Sequence, residues 1–585
     1  MLVTFFALVV GTMPARFQSV QIPEAATPVS PAPRPLTGRD STRVLRVARQ
    51  AQGDFETLRR RLLPFEPLGR GGGCEDVVGR YCYRQQITAP PDEGPQIVEA
   101  RARLLAILDS VGTMIPGDRW IVGQRVRYLL EANNPNAADS MAVACAGRST
   151  APATTSWCLA LVGYTAQQFG NYSRAEAAFT SALAEMPASD RCKWEDVGLL
   201  LGRSAAGPYR RVDCDARDSV TASFWRLVQP LYLRSVNDLR TEFLARMTRT
   251  YIEQGTRTAM SDWWTSDDRA TLLRYGVPLW YTRGEIPRGE TRPQIAGFRR
   301  EPAFNFFPDA HVLASPDRLT IADWAFSNPL NTPTYAPLWT ISFQPIVDHQ
   351  VALFRRGDSA FVVAAFDVSD VVARGETRQI GAFAAVIDRG GVLTPFGTTI
   401  QQAGLGMVST LVAPWRPFIV SLEMLNSTRG TAGRARFAPP LPISGGRLSL
   451  SDLLLYTPRD PAPASLTEAV PRALHAMRAP PNRQIGVFWE TYGVRPQGES
   501  FDYALLVTPA DESLIRRALV KLHIVEPERS LTLQWREVPS SADGTACRGV
   551  TVDLSRLRPG RYSVRLMLTS GADLPIVAER SIEIL

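Results

Sequence analysis

The sequence predicts a multidomain α+β protein: an α-helical array in the N-terminal half, a mixed segment in the middle, and two antiparallel β-sandwiches towards the C-terminus. Its 585 residues are too many for one core, since domains average about 150 residues. Apolar residues recur at helical spacing from about residue 43 to 255, and with a period of two beyond about residue 337. Pro-rich stretches at 23–35 and 458–481 divide the chain further.

The composition excludes two classes of protein. Apolar residues make up 45% and charged residues 21% of the chain, as in ordinary globular proteins, so the chain as a whole is not disordered. No stretch approaches the ~20 apolar residues that span a bilayer, and this excludes a polytopic membrane protein.

The charge pattern predicts no nucleic-acid partner. The 65 Lys and Arg against 57 Asp and Glu give a net charge of +8, and Lys193 and Lys521 are the only lysines. Binding to phosphates needs cations on one face, but the densest cluster here is Arg59-Arg60-Arg61, and pairs such as Arg299-Arg300 and Arg355-Arg356 are isolated. We therefore expect these arginines to form solvated surface.

The N-terminus predicts export. The apolar run Leu2–Val10 fits the core of a signal peptide, is too short to span a membrane, and is followed by the Pro/Ala/Ser stretch at 23–35. An uncleaved anchor and a buried N-terminal element remain alternatives, because no Lys or Arg precedes the run and no clear small-x-small cleavage site follows it. The expected location is the periplasm or the outer face of the inner membrane.

The cysteine spacing supports the same compartment. Six of the seven cysteines fall into three pairs 8, 13 and 22 positions apart, and pairing with the nearest neighbour is the simplest of fifteen possibilities. No Cys-x-x-Cys occurs and the four histidines are far from the cysteines, so disulfides are favoured over a metal site. We expect Cys547, the seventh, to be a small buried hydrophobe in a strand. The six are Cys74 and Cys82, Cys145 and Cys158, and Cys192 and Cys214.

The clearest helical unit is residues 156–187. Gly163 and Ala175 occupy positions where two helices could cross, Phe179 falls on a packing face, and Pro187 could end the second helix. This segment resembles a tetratricopeptide repeat (TPR). Because a lone repeat cannot bury its own face, the resemblance implies a short TPR-like array. It leaves a peptide-binding groove and simple scaffolding open as functions.

The next segment carries a second resemblance. Its blocks are Phe224 to Pro230, then Asn237, Glu242 and Arg246, then Trp264-Thr265-Ser266-Asp267-Asp268-Arg269, and then Leu273-Arg274-Tyr275-Gly276-Val277-Pro278. Together they resemble a degenerate GWxTD domain, a family of exported bacterial proteins of uncharacterised function. The sequence departs from the family where Trp263 replaces its glycine, Ser266 its threonine, and Gln229 the acid before the proline. The residues that anchor the motif are Trp225, Trp264, Asp267, Asp268, Arg269, Tyr275 and Gly276.

These residues also have a physical interpretation. The two aromatic pairs, at 224–225 and 263–264, are expected to anchor helix against strand. Asp267 and Asp268 are expected to cap a helix beginning at Arg269, and 275–278 to form a strand end and a turn. The alternative is that Asp267 and Asp268 form an acid/base cluster with Glu285.

Strand patterns dominate beyond Pro337. Two runs flank Arg356-Gly357-Asp358-Ser359, which is typical of a hairpin turn. Strands of the first sandwich are predicted at 351–355, 360–368, 381–387, 417–423 and 448–456. Seven more are predicted at 485–492, 503–508, 518–525, 531–538, 550–554, 562–569 and 576–584, a number that suits an immunoglobulin-like (Ig-like) sandwich. Trp489 and Trp535 are expected in its core, with a sugar-stacking platform as the alternative.

The predicted organisation follows from these patterns. The parts are 1–38, a signal-peptide-like run with a Pro-rich linker; 39–215, the TPR-like helical domain; 216–335, the GWxTD-like mixed segment; 336–457, a β-sandwich; 458–481, a Pro-rich linker; and 482–585, the Ig-like sandwich.

The sequence contains none of the common catalytic motifs. The sequence has no Gly-x-Ser-x-Gly, His-Glu-x-x-His, Ser-x-x-Lys or phosphate-binding loop, and few general bases. It therefore predicts no catalytic residue, no cofactor and no metal, and favours a noncatalytic scaffold or interaction protein of the cell envelope with protein partners. Membrane association, through the N-terminal run or as an accessory subunit of a membrane complex, is a further expectation. An envelope hydrolase of glycan or peptide with paired carboxylates, and a carbohydrate-binding protein, stay open as alternatives.

Overall fold

The structure is a computed structural model. It describes residues 38–66, 76–78, 81–85, 93–201, 203–286, 291, 293–299, 304–324, 335, 337–368, 379–388, 393–402, 406–442, 448–495, 498–510, 530–539, 541, 543–571 and 574–585. The N-terminal apolar run, Cys74, the side chain of Cys82 and the predicted strand at 518–525 lie outside this description.

The predicted α+β organisation is confirmed: helices predominate before residue 280 and antiparallel sheets after residue 340. The α-helices are α1 (Gly38–Leu62), α2 (Pro95–Met114), α3 (Arg119–Glu131), α4 (Pro135–Arg148), α5 (Pro152–Gln168), α6 (Tyr172–Ala184), α7 (Ala188–Trp194), α8 (Arg203–Arg211), α9 (Cys214–Val228), α10 (Asp238–Glu253), α11 (Ser266–Tyr275) and α12 (Leu466–Ala469).

The strands of the described residues fall into five sheets. They are β1 (Asp76–Val78), β2 (Tyr81–Gln85), β3 (Trp280–Arg283), β4 (Ile295–Arg299), β5 (Ser342–Pro345), β6 (His349–Arg356), β7 (Ser359–Asp367), β8 (Gln379–Asp388), β9 (Leu393–Gln402), β10 (Gly406–Pro414), β11 (Ile419–Asn426), β12 (Thr431–Phe437), β13 (Ser449–Leu450), β14 (Leu454–Tyr456), β15 (Gln484–Tyr492), β16 (Phe501–Pro509), β17 (Leu531–Glu537), β18 (Thr545–Asp553), β19 (Gly560–Thr569) and β20 (Ile576–Ile584).

Side-chain caps punctuate the helical half. Each capping side chain accepts a hydrogen bond from a backbone N–H that has no partner within the first turn, and this fixes where the helix begins. The caps are Asp118 for α3, Asn134 for α4, Asn171 for α6, Asp213 for α9 and Asn237 for α10. Among the helices of the described part of the chain, none is long and apolar enough to cross a membrane.

The hairpin of α5 and α6 packs as the sequence predicts. A Cβ atom at Gly163 would lie 2.7 Å from the ring of Phe179, so the absence of a side chain lets the two helices approach. Phe179 and Ala175 are both buried in the same apolar cluster. Helix α10, which is distant in sequence, packs against α5.

Two of the three predicted disulfides are present. Cys145 and Cys158 join α4 to α5 with Cα atoms 5.5 Å apart, and Cys192 and Cys214 join α7 to the start of α9 with Cα atoms 5.7 Å apart. The pairing of Cys74 with Cys82 lies outside the described residues. Disulfides indicate an oxidising, extracytoplasmic location.

The first sandwich has a three-stranded sheet, β10-β7-β6, and a five-stranded sheet, β5-β12-β11-β8-β9. The hairpin between β6 and β7 forms as predicted, and Gly357 turns it with a φ of 61°. The five-stranded sheet is buried on both faces: one face packs on the other sheet, and the other shares the apolar cluster of the helices. Every residue of β11 is consequently buried.

Two arginines of β12 join this sheet to the helical half. Nη1 of Arg436 donates to the backbone oxygens of Leu227 (2.6 Å) and Gln229 (2.9 Å), at the C-terminal end of α9. Nη1 of Arg434 donates to the oxygens of Gln229 and Pro230, each at 3.1 Å. Because the last carbonyls of a helix have no intrahelical partner and carry partial negative charge, these guanidinium groups complete the end of α9.

The second sandwich covers the C-terminal residues. In one sheet β15 pairs with β13 and β14 on one side and with β18 on the other, and the second sheet has the order β17-β16-β19-β20. Trp489, Leu505 and Leu566 are buried between the sheets. The other predicted strands of this sandwich form, and the run at 518–525 lies outside the described residues. The run at 448–456 was predicted for the first sandwich, and this is wrong: it forms β13 and β14, which pair with β15 of the second.

The segment 458–481 packs between the sandwiches. Leu466, Ala469 and Ala473 are buried in one apolar cluster with Phe354 of the first sandwich and Phe488 of the second. The structure thus places much of the predicted Pro-rich linker in a core that both sandwiches share.

The helix crossing at Gly163 gives a stability prediction. Gly163→Ala forces a methyl group against the buried ring of Phe179 and should lower the free energy of unfolding by about 1–3 kcal/mol. The control Gly147→Ala lies at an exposed position in the last turn of α4, where a Cβ meets nothing within 4 Å, and should raise the free energy of unfolding by about 0.5–1 kcal/mol. Urea unfolding followed by circular dichroism measures both; equal effects would contradict the close crossing.

The disulfide between Cys145 and Cys158 gives a second stability prediction. Cys145→Ala with Cys158→Ala removes a covalent loop of 13 residues, and the unfolding free energy should fall by about 3 kcal/mol. Cys547→Ala, which removes a thiol that is not bridged, is the control and should have a smaller effect. Peptide mapping without reductant should recover 145 with 158 and 192 with 214; free thiols at these positions would refute the bridges.

Candidate functional site

The end of α11 lies at the centre of the motif residues. Tyr275 is the last residue of this helix and Gly276 is its C-cap, with a φ of 81°. The expectation of a strand end at 275–278 is therefore wrong: the segment ends a helix. A side chain at Gly276 would be strained by the positive φ and would lie 3.1 Å from the guanidinium of Arg246.

Arg246 holds this helix end in place. Its Nη1 donates to the backbone oxygens of Leu273 (3.2 Å) and Arg274 (3.1 Å), and its Nε donates to Oε1 of Glu242 at 2.7 Å. The guanidinium also lies 3.9 Å from the ring centroid of Tyr335. A cation at the C-terminus of a helix is favourable. Glu242 and Arg246, two residues of the GWxTD resemblance, thus support the block at 273–278.

Asp268 holds the other end of α11. Its Oδ2 accepts from the backbone N–H (2.7 Å) and the hydroxyl (2.6 Å) of Thr265, and its Oδ1 accepts from the Tyr81 hydroxyl at 2.7 Å. The helix begins at Ser266 with Thr265 as its N-cap, three residues before the predicted start at Arg269. Asp268 therefore completes a capping box, and the expected capping role of Asp267 is wrong.

The acid/base interpretation gains no support from this geometry. Both carboxylate oxygens of buried Asp268 accept hydrogen bonds that stabilise the helix start. Glu285 is exposed and Asp267 partly so. Asp268 therefore acts as a structural group.

The aromatic anchors divide into two kinds. Trp225 is buried, with ring centroids 4.9 Å from Phe224 and 5.2 Å from Phe243. Trp264 is partly buried, but Trp263 is 72% exposed, so the expectation that Trp263 anchors the core is wrong. Arg269 is partly buried and its Nη2 lies 3.8 Å from the sulfur of Met247.

Three neighbouring cavities share Val277 and Pro278. The largest has a volume of about 320 Å³, one beside α1 about 240 Å³, and a small one beneath Trp264 about 30 Å³. We call the largest the groove. Its lining comes from α3, α5, α10, residues 275–279 and the segment that holds Leu338: Leu130, Glu131, Tyr164, Gln167, Gln168, Glu242, Ala245, Arg246, Arg249, Tyr275, Gly276, Val277, Pro278, Leu279 and Leu338.

Glu131 lies between two of these cavities and joins three arginines. Its carboxylate accepts from Arg59 at 2.9 Å, from Arg127 at 3.0 Å and from Arg249 at 2.7 Å. Burial alone would raise the pKa of Glu131, but the guanidinium groups of Arg127, Arg59 and Arg249 hold it well below its ordinary value. Glu131 therefore stays ionised at the groove wall.

The cluster around Glu131 extends into the interior. Fully buried Glu56 accepts from Arg127 and from the Tyr128 hydroxyl, both at 2.8 Å. Burial raises the pKa of Glu56, although Arg127 and Arg59 oppose the rise. Glu253 pairs with Arg249 at 2.6 Å. Three glutamates thus balance three arginines, and Arg59 is buried, against its expected place on a solvated surface.

The groove offers both signs of charge. Arg246 and Arg249 supply donors, Glu131 and Glu242 supply acceptors, and Gln167 supplies both kinds of group. Among the described residues that line it there is no Ser, Thr, Cys, His or Lys. Such a lining can hold a polar chain through hydrogen bonds.

Of the tryptophans expected in the core of the second sandwich, Trp489 is a core residue and Trp535 is partly buried against that core. Trp489 is fully buried, and Trp535 stacks on Tyr503 with ring centroids 5.3 Å apart. Trp489 is thus closed to a sugar. Cys547 lies in β18, half-buried, with its sulfur 3.8 Å from Oε1 of Glu490, and burial raises the pKa of its thiol to about 11.

Comparisons with known proteins add little. No family model matches the sequence, and no curated protein matches it. A crystal structure of red sea bream transglutaminase is similar over 41% of this chain, with 8% sequence identity and a TM-score of 0.13. The match covers 32% of the transglutaminase chain, and at this TM-score it supports no conclusion about fold or function.

The sequence contained a signal for the cluster around Glu131 that single motifs did not reveal. Arginine and glutamate recur four residues apart at Arg127 and Glu131, at Glu242 and Arg246, and at Arg249 and Glu253. This spacing places partners on one helix face. Three such pairs on helices that also carry apolar faces would have indicated that the charged side chains are buried together between the helices.

Glu131 gives a prediction with a pH dependence. Glu131→Gln removes the carboxylate that three guanidinium groups share, although Arg127 keeps Glu56 and Arg249 keeps Glu253 as partners. The free energy of unfolding at neutral pH should fall by about 3 kcal/mol. Because the pKa of Glu131 is depressed in the folded state, its contribution is present above the ordinary value of 4.5 and is lost as the pH falls below it. The difference from the wild type should therefore shrink on acidification.

The matched control is Glu99→Gln on α2, where an exposed glutamate pairs with exposed Arg103. Its effect should stay within about 0.5 kcal/mol at every pH. Denaturant unfolding at a series of pH values measures both variants. A pH-independent loss in Glu131→Gln would contradict the depressed pKa.

Proposed function

We propose that this protein is a noncatalytic interaction protein of the cell envelope, and that its groove binds an extended segment of a partner protein. The two disulfides support a location outside the cytosol. The TPR-like and GWxTD-like identities of the helical half belong to this proposal. An accessory subunit of a membrane complex is one form that the function can take.

The observation that carries the proposal is the mixed lining of the groove on a rigid wall. Arg249 and Glu131 are held by buried ion pairs, so their positions do not depend on a ligand. Preorganised groups lose little conformational entropy when they bind a partner. The groove therefore resembles a built binding surface.

An extended polypeptide suits this lining better than a small apolar molecule. Each residue of a peptide backbone brings one donor and one acceptor, and the more exposed Glu242 and Gln168 at the groove wall offer acceptors and a donor for them. Leu279 and Leu338 are 57% and 50% exposed at the rim of the same groove. Exposed apolar side chains beside a polar cleft are typical of protein interaction sites.

The test is photocrosslinking from defined positions in the natural envelope. A photoreactive residue at exposed Gln168 or at Leu338 should form a crosslink to a protein partner. The same residue at Leu574, which is 89% exposed in the second sandwich, should not give that crosslink and serves as the control.

Substitutions then separate binding from folding. Leu279→Asp with Leu338→Asp should abolish the crosslink from Gln168, because charge replaces the apolar rim, while unfolding changes by no more than about 0.5 kcal/mol. Leu574→Asp, the matched surface change, should leave the crosslink intact. A crosslink that persists in the double variant, or equal crosslinks from 168 and 574, would refute binding in the groove.

A further inference from the structure

A second cluster of functional side chains lies away from the groove. Asp309, His311 and Asp323 each direct one ligand atom to a common point, and these three atoms all lie within 4.8 Å of one another. Nε2 of His311 lies 3.1 Å from Oδ1 of Asp323. Asp309 and His311 are exposed, whereas Asp323 is buried, so the cluster opens to solvent on one side.

The local backbone brings these residues together from two turns. His311 is in a 3₁₀ turn at Ala310–Leu313 and Asp323 ends another at Ile321–Asp323. The N–H of Asp309 donates to the backbone oxygen of Asp323 at 2.8 Å and joins the turns. Oδ2 of Asp323 accepts from Thr320, which leaves Oδ1 facing His311.

The support beneath the cluster is buried and apolar. Phe306, Phe307, Val312 and Trp324 are all buried in the large cluster of the helical half. The indole N–H of Trp324 donates to the backbone oxygen of Phe306 at 3.1 Å and ties the two ends of the segment together. Ligands on a packed support keep their geometry, and metal sites require this.

We propose that Asp309, His311 and Asp323 bind a divalent transition-metal ion, with water completing its coordination. One imidazole and two carboxylates are a ligand set for Zn²⁺, Mn²⁺ or Fe²⁺, whereas Ca²⁺ and Mg²⁺ prefer oxygen alone and Cu⁺ prefers sulfur. Among these ions Zn²⁺ binds nitrogen and oxygen ligands most tightly, so it is the probe of choice. Three protein ligands leave positions for water.

The sequence contained only a weak signal for this site. Asp309 and His311 are two residues apart, but the third ligand follows twelve residues later and its place depends on the fold. The expectation of no metal was drawn from the cysteines and from the scatter of the histidines. It did not consider one histidine with two aspartates.

The experiment titrates the full chain, without a histidine tag and after chelation, with ZnCl₂ in a calorimeter. The wild type should bind one ion at this site. His311→Asn and Asp309→Asn should each weaken that binding by about tenfold or more, since each removes a ligand. Both residues are exposed, so the variants should fold, and circular dichroism verifies this.

The matched control is Asp317→Asn. Asp317 is an exposed aspartate of the 3₁₀ turn Pro316–Arg318, and the change alters the net charge as much as Asp309→Asn does. Its affinity for Zn²⁺ should equal that of the wild type. With Co²⁺ as a second probe, the visible absorption of the bound ion should be lost in His311→Asn and kept in Asp317→Asn.

Two outcomes would overturn the proposal. One is the absence of Zn²⁺ binding by the wild type, which would leave His311 and Asp323 as an ion pair alone. The other is equal weakening in all three variants, which would indicate diffuse attraction of the cation to surface charge. Because the groove is formed by other residues, neither outcome affects the proposed binding of a partner.

Discussion

Buried arginine is the constraint on which both halves of this protein depend. A guanidinium stays protonated in a protein, so each buried one needs carboxylates or carbonyl oxygens arranged around it. At the groove the partner is Glu131, which binds three arginines from three helices. At β12 the partners are the last carbonyls of α9. In both places the arginines cannot lose their charge by deprotonation. The helices and strands around them must therefore keep their oxygen acceptors in position.

The second of these sites makes the helices and the first sandwich a single unit. The buried pair of Arg436 and Glu423 has donor and acceptor 3.1 Å apart, and Glu423 also accepts from the N–H of Leu233 at 2.9 Å. The first GWxTD-like block, at 224–230, thus contacts the five-stranded sheet through its backbone oxygens, although that sheet starts more than a hundred residues later in the sequence. The block around Trp225 consequently orders an interface within the chain, and its resemblance to a family motif can be understood through packing.

Local patterns were readable from the sequence and distant partners were not. The turn at Gly357, the crossing at Gly163 and the bridge between Cys145 and Cys158 depend on neighbouring residues, and the sequence predicts all three. Strand β12 was missed because its alternating arginines are typical of a wet face, whereas a distant helix end covers them. Arg59 was expected in solvent because its partner Glu131 is 72 positions away. The groove was missed for the same reason, because its walls come from five separate parts of the chain.

The core that the two sandwiches share has a mechanical consequence. Nη1 and Nη2 of Arg356 in the first sandwich donate to Glu490 in the second, at 2.6 and 2.8 Å. Nε2 of Gln350 donates to the backbone oxygens of Leu455 and Leu474. These contacts hold the first and second sandwiches in one relative orientation. A molecule bound to one sandwich therefore stays at a fixed distance from the other. Packed side chains set that distance, and the length of the segment 458–481 does not.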